Sequence, residues 1–123
     1  MSIPITAAVW LQAMDPTDQI DYVADFMGAT PLLDVGETIA GFTVALMPEA
    51  VLLGVMISSG SGRDPVLIAG TAIKIWLEVQ TADREDPEFT GKGVVVGVVF
   101  TITTTSSPSR RRQRTFALSV AQL

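Results

Sequence analysis

The residues from Val94 to Thr105 leave little choice of local structure. The run Val94-Val95-Val96-Gly97-Val98-Val99-Phe100-Thr101-Ile102-Thr103-Thr104-Thr105 is β-branched almost throughout. Branching at Cβ costs rotamer freedom in a helix and packs well on a pleated strand. Val94, Val96, Val98, Phe100 and Ile102 fall on one side, and Gly97, Thr101 and Thr103 on the other. A polar turn, Ser106-Ser107-Pro108-Ser109, closes the run, and the chain returns through Arg110 to Arg114 into Thr115-Phe116-Ala117-Leu118-Ser119-Val120. There Phe116, Leu118 and Val120 alternate with Thr115, Ala117 and Ser119. Period-two spacing lays one face of each strand on a core, and two such runs joined by a turn make a hairpin.

A chain of 123 residues is one domain of ordinary size, able to bury a core without cross-links. Hydrophobic residues make up 48% and charged residues 17%, against a usual ~25% charged. So much apolar residue on so small a body means either a thick core of Val and Ile or burial against other subunits, and the second is favoured because exposed apolar patches mark contact sites. The net charge of −5 opposes nonspecific binding to a nucleic-acid backbone. There is no cysteine and no histidine. That removes the disulfide, the zinc site, the thiol nucleophile, and the commonest general base and transition-metal ligand. The start, Met1-Ser2-Ile3-Pro4-Ile5-Thr6, lacks the basic opening of a signal peptide. The longest apolar run, Ala50 to Ile57, is strand-sized, far from the ~20 residues of a membrane span.

Along the chain, residues 1–14 read as an N-terminal arm, with Val9, Trp10, Leu11 and Met14 on an extended segment or one helical turn. Residues 15–123 read as the domain. Asp15-Pro16-Thr17-Asp18 suits a cap and a turn. Ile20, Tyr22, Ala24 and Phe26 alternate with Asp21, Val23 and Asp25 in a first strand, ended by Gly28 to Pro31. Asp34-Val35-Gly36-Glu37 is turn chemistry. A second strand covers Thr38 to Leu46, with Ala40, Phe42, Val44 and Leu46 on one face. Pro48-Glu49 turns the chain, and Val51 to Ile57 is expected as a third strand. A loop rich in glycine and serine, Ser58 to Asp64, follows. Val66 to Ile68 precedes Gly70, and Ile73, Ile75, Leu77 and Val79 point inward with Lys74, Trp76 and Glu78 outward. About seven short strands with turns between them and no helical periodicity predict an all-β fold, an immunoglobulin-like antiparallel β-sandwich.

Several signatures occur in one order. They are Asp15-Pro16-x-Asp18-x-x-Asp21-Tyr22-x-x-Asp25-Phe26, Gly36-Glu37-Thr38-Ile39, Ile75-Trp76-Leu77, the β-run ending in Ile102-Thr103-Thr104-Thr105, and the basic turn into Arg114-Thr115-Phe116-Ala117-Leu118-Ser119-Val120. From Asp15 to Leu123 the chain resembles the small bacteriophage structural proteins called fibre-tail adaptors. Their acidic opening leads into a compact Ig-like sandwich. Phe26 stands where that family usually has Trp, and Ser109-Arg110 replaces its usual Gly-Arg. The resemblance implies a virion component at the tail, neck or capsid surface, assembled in the host cytoplasm, and it implies no catalytic residues.

The residues expected to carry function are therefore interface residues. Trp10 and Trp76 are the apolar anchors. Arg110, Arg111, Arg112 and Arg114 form the one dense basic cluster, and Asp15, Asp18, Asp21 and Asp25 form an acidic ladder. Opposite clusters in a chain poor in charge suggest pairing between neighbouring copies, which steers and orients assembly. The ladder offers hard oxygen ligands but lacks EF-hand spacing, so no metal is expected. Paired carboxylates such as Asp21 and Asp25, or Glu85 and Asp86, have the chemistry of glycosidases. They lack an aromatic platform beyond Trp76 and Tyr22. The expectation is a non-enzymatic protein without cofactor, direct nucleic-acid contact or membrane contact. Its expected partners are other copies of itself and other virion proteins. The alternatives are a capsid decoration protein on the head lattice and a carbohydrate-binding β-sandwich module using Trp76.

Overall fold

The structure is a computed structural model that describes residues 3, 7–27 and 33–123. The break expected at Gly28 to Pro31 lies outside the described residues. Eight strands, β1 (Ala8–Val9), β2 (Gln19–Asp25), β3 (Ile39–Leu46), β4 (Val55–Ile57), β5 (Val66–Ile68), β6 (Ala72–Val79), β7 (Val94–Thr104) and β8 (Arg111–Val120), and one short helix, α1 (Pro48–Leu52), build the domain. One sheet has the order β1-β8-β7-β3; the other runs β2-β6-β4, with β5 also on β6.

β4 and β5 share one edge of β6, at Val55↔Val79 and Val66↔Lys74, so they are two pieces of one strand position. That leaves seven positions. Their arrangement places β2, β6 and β4/β5 against β3, β7 and β8, the B-E-D and C-F-G sheets of an immunoglobulin-like sandwich. β1 runs parallel to β8, Ala8 beside Phe116. Of the segment read as an N-terminal arm, Ala8–Val9 thus supplies the edge strand of a sheet.

The alternation seen in the sequence is the alternation of the core. Ile73, Ile75, Leu77 and Val79 of β6 are fully buried, as are Val98, Phe100 and Ile102 of β7 and Leu118 and Val120 of β8. Phe26, Phe100 and Phe116 meet edge to face, with centroids 5.3–6.0 Å apart, the arrangement that aromatic quadrupoles favour.

Two expectations need correction. Val51 to Ile57 is not one strand: Pro48 to Leu52 forms α1, and only Val55–Ile57 is extended. Pro48 sits in the first turn, Ala50 is buried, and Gly54, at φ +82°, stops the helix in a conformation that side chains resist. Local start and stop signals outweigh the β-propensity of Val51. The other correction is on β3. A register shift between Ile39 and Gly41 buries Ile39 and leaves Ala40 exposed, while Phe42, Val44 and Leu46 keep their places against the core. A bulge adds one residue and exchanges the faces.

Candidate assembly surface

The flank where β1 and β2 lie brings together most of the residues singled out from the sequence. β1 ends one sheet and β2 ends the other. Trp10 spans the gap between them. Its amide donates to the Ala117 carbonyl at 3.0 Å and its indole Nε1 to the Val23 carbonyl at 2.9 Å. Its ring stacks on Phe116 and leans on Tyr22, each with centroids 5.0 Å away. Trp10 therefore closes one side of its own sandwich. The apolar residues beside it remain outside: Val9 is 65% and Leu11 101% exposed.

The acidic ladder begins at one end of this flank. Asp15 and Asp18 fold the turn that starts β2. Asp18 accepts from the Asp15 amide at 3.0 Å, and Asp15 accepts from the Thr17 amide at 2.9 Å and the Thr17 hydroxyl at 2.7 Å. The Leu123 amide donates to the other Asp15 oxygen at 2.8 Å. The Leu123 donor and then the Thr17 donors hold the Asp15 carboxyl below its ordinary range. Asp21 and Asp25 lie farther along β2, exposed on its outer face. Among the described residues no three acidic groups gather where a metal ion would sit. The ladder is drawn out along a strand.

Tyr22 points the other way, into the core. Its hydroxyl is buried with no hydrogen-bond partner among the described residues. Burial first, then the charges of Asp18 and Asp21, push the phenol up to about 12.

The arginines divide. Arg110 is committed within its own domain. Its Nη2 donates to Glu37 Oε1 in a short contact and lies 3.1 Å from Asp34, and its Nε donates to Glu37 Oε2 at 3.4 Å. Glu37 also accepts from the Asp34 amide at 3.1 Å. The guanidinium, then this amide, hold the Glu37 carboxyl down at about 2. This staple fastens the loop before β3 to the hairpin between β7 and β8. Arg111, Arg112 and Arg114 make no ion pair that the described residues show. Arg111 is exposed and the other two are half-buried at the start of β8.

Trp76 stands apart, on the outer face of β6. The Arg63 guanidinium lies over its ring, 5.5 Å from the centroid, a cation–π contact. The residue beyond it on β6, Glu78, accepts from Ser58 at 2.5 Å and Gln19 at 2.8 Å. The ring face that a sugar would need carries Arg63 instead. Val23, Met56, Val66 and Ile68 stand around this face at 36–47% exposure. They share cross-strand rows with it, Val23 and Val66 both opposite Lys74.

The other carboxylate pair is divided. Asp86 caps a single 3-10 turn by accepting from the Glu88 amide at 2.9 Å. Glu85 lines an open cleft of about 600 Å³ with Asp15 and Arg84.

Sequence reasoning found the arginines and the tryptophans but missed Glu37 and Arg63. Glu37 had one visible signal, its place in the turn Asp34-Val35-Gly36-Glu37. Arg63 had none.

No family model matches this chain, and no curated protein is significantly similar to it.

Proposed function

We propose that this chain is a bacteriophage virion structural protein, an adaptor at the tail or neck that works by burying surface against other virion proteins and other copies of itself. It is assembled in the host cytoplasm and carries no catalytic centre. The acidic opening from Asp15 to Phe26 supports this reading, and the immunoglobulin-like strand order fits the architecture that the resemblance implies. The observation that carries it is the apolar outside: Val9, Leu11, Val23, Met56, Val66 and Ile68 stand in solvent on a domain whose core is already full. Side chains of this kind gathered on a surface mark a contact.

Sedimentation of the purified protein, followed by mixing with isolated tails and isolated empty heads, tests the proposal. The expected result is a self-associating protein that co-sediments with tails. Decoration of heads alone gives the position to a capsid decoration protein. A monomer at every concentration that binds neither part overturns the proposal, and binding to immobilised glycans that is lost in Trp76→Ala replaces it with a carbohydrate-binding module.

A further inference from the structure

Each of the two sheets has two edges, and three of these are guarded against a further strand. β1 is two residues long. β2 carries Asp21 and Asp25, and the Trp10 indole already takes its Val23 carbonyl at 2.9 Å. β4 and β5 divide their edge between them, with Ser58 to Pro65 leaving the sheet in the middle. Short, charged or interrupted edges resist pairing. β3 is different. It runs Ile39-Ala40-Gly41-Phe42-Thr43-Val44-Ala45-Leu46 with no charge and no proline, and among the described strands only β7 pairs with it.

The ladder fixes where the backbone groups of β3 point. The Met47 amide donates to the Gly97 carbonyl at 2.9 Å. In an antiparallel pair, residues that bond across alternate with residues that do not. Ala45, Thr43 and Gly41, opposite Val99, Thr101 and Thr103, therefore turn their amides and carbonyls toward β7. Phe42, Val44 and Leu46 turn theirs away, and no described group takes them. The open stretch begins past Ile39, whose amide donates to the Gly70 carbonyl at 2.8 Å. The side chains of Phe42, Val44 and Leu46 pack on the core but are only half-buried, and Thr43 and Ala45 stand exposed on the outer face.

We infer that β3 is a seat for strand addition: an extended segment of another protein pairs with this open edge and lengthens the sheet. The inference rests on the assembly reading above and names one of its contacts. The edge sets the chemistry of the occupant. Extended backbone offers amides and carbonyls at the spacing of Phe42, Val44 and Leu46. The neutral edge suits an uncharged segment, because a charge laid there loses water and meets no opposite charge. Apolar side chains at every second position of the segment continue the row of Phe42, Val44 and Leu46 over the core. A second sandwich fits this edge less well. The register shift between Ile39 and Gly41 bends the strand, and such bends keep rigid sheets from joining edge to edge. A single flexible segment follows the bend.

Hydrogen exchange of the backbone amides, read by fragment mass spectrometry, tests the pairing directly. In the free protein the amides of Phe42, Val44 and Leu46 are expected to exchange fast and those of Thr43 and Ala45 slowly. When the protein is bound to isolated tails or empty heads, the fast amides are expected to slow at least about tenfold. Thr43→Lys and Ala45→Lys set a charge beside the open edge from exposed positions. Each is expected to weaken that binding about tenfold, whereas Val23→Lys, on the other sheet, is expected to leave it unchanged. Binding with no slowing at β3, and with both edge variants binding like wild type, overturns the inference and leaves the assembly reading standing. Slowing of the same amides by self-association alone gives the edge to a second copy and overturns the inference too. A protein that neither self-associates nor binds tails or heads removes both.

Discussion

Two side chains of opposite character test what single residues contribute here. Glu37 is buried, and Arg110 lowers its pKa to about 2 from an ordinary 4.5. A carboxyl depressed in the folded state contributes stability that is complete above its unfolded pKa and is lost as pH falls through the folded one. The window is thus from just above pH 4.5 down to about pH 2. Glu37→Gln is expected to lower the urea midpoint at neutral pH and to flatten the acid limb, so that wild type and variant converge near pH 2. Denaturation curves at a series of acid pH values check this. Tyr22 shows the reverse case. Its buried hydroxyl finds no partner among the described residues, and a buried, unpaired polar group costs about 1–3 kcal/mol. Tyr22→Phe keeps the ring against Trp10 and is expected to raise unfolding free energy by about 1 kcal/mol, read by the same denaturation.

At the scale of elements, the hairpin between β5 and β6 carries a correctable strain. Its two turn residues, Ala69 and Gly70, have φ of 53° and 73°, and the Thr71 amide donates to the Ile68 carbonyl at 3.2 Å. Glycine suits that backbone, whereas an alanine there crowds its Cβ against the chain. Ala69→Gly is expected to stabilise the domain by about 1 kcal/mol, seen as a higher thermal midpoint with unchanged cooperativity.

The strands that were legible in the sequence are the ones with a single face on the core. Tyr22, Ala24 and Phe26 alternate with exposed neighbours, and Val96, Val98, Phe100 and Ile102 alternate with less buried residues everywhere but at Gly97, and that pattern is local. α1 was hidden because Val51, Leu52 and Leu53 look like strand. What decides is Pro48 before them and Gly54 after them. The bulge at Ile39 to Gly41 left no mark either, since it depends on how β3 meets β7. The Arg110–Glu37 staple joins residues 73 positions apart, a distance at which only the completed fold makes neighbours. For the same reason the clusters were visible as clusters, but not that the acidic one is drawn out along β2 while Arg110 is taken up by Glu37 and Asp34.

For the molecule as a whole, the strand position shared by β4 and β5 has a practical consequence. Both pieces are anchored separately on β6, and the residues between them, Ser58 to Pro65, leave the sheet and return to it. Gly60 and Gly62 at the tip are exposed and their surroundings are open, with no neighbouring atom within 4 Å of where a Cβ would stand. Lengthening such a tip costs loop-closure entropy, about 0.6 kcal/mol for each doubling, and the exposed hydrogen bonds that tie Gly60 to Arg63 and Asp64 across it. A short antibody epitope grafted between Gly60 and Gly62 is expected to leave the thermal midpoint within a few degrees of wild type, as calorimetry would show. Gold-labelled antibody would then test the virion role proposed above by showing whether copies sit on particles, because the sandwich already carries, at the seam of a divided strand, a natural port for a visible tag.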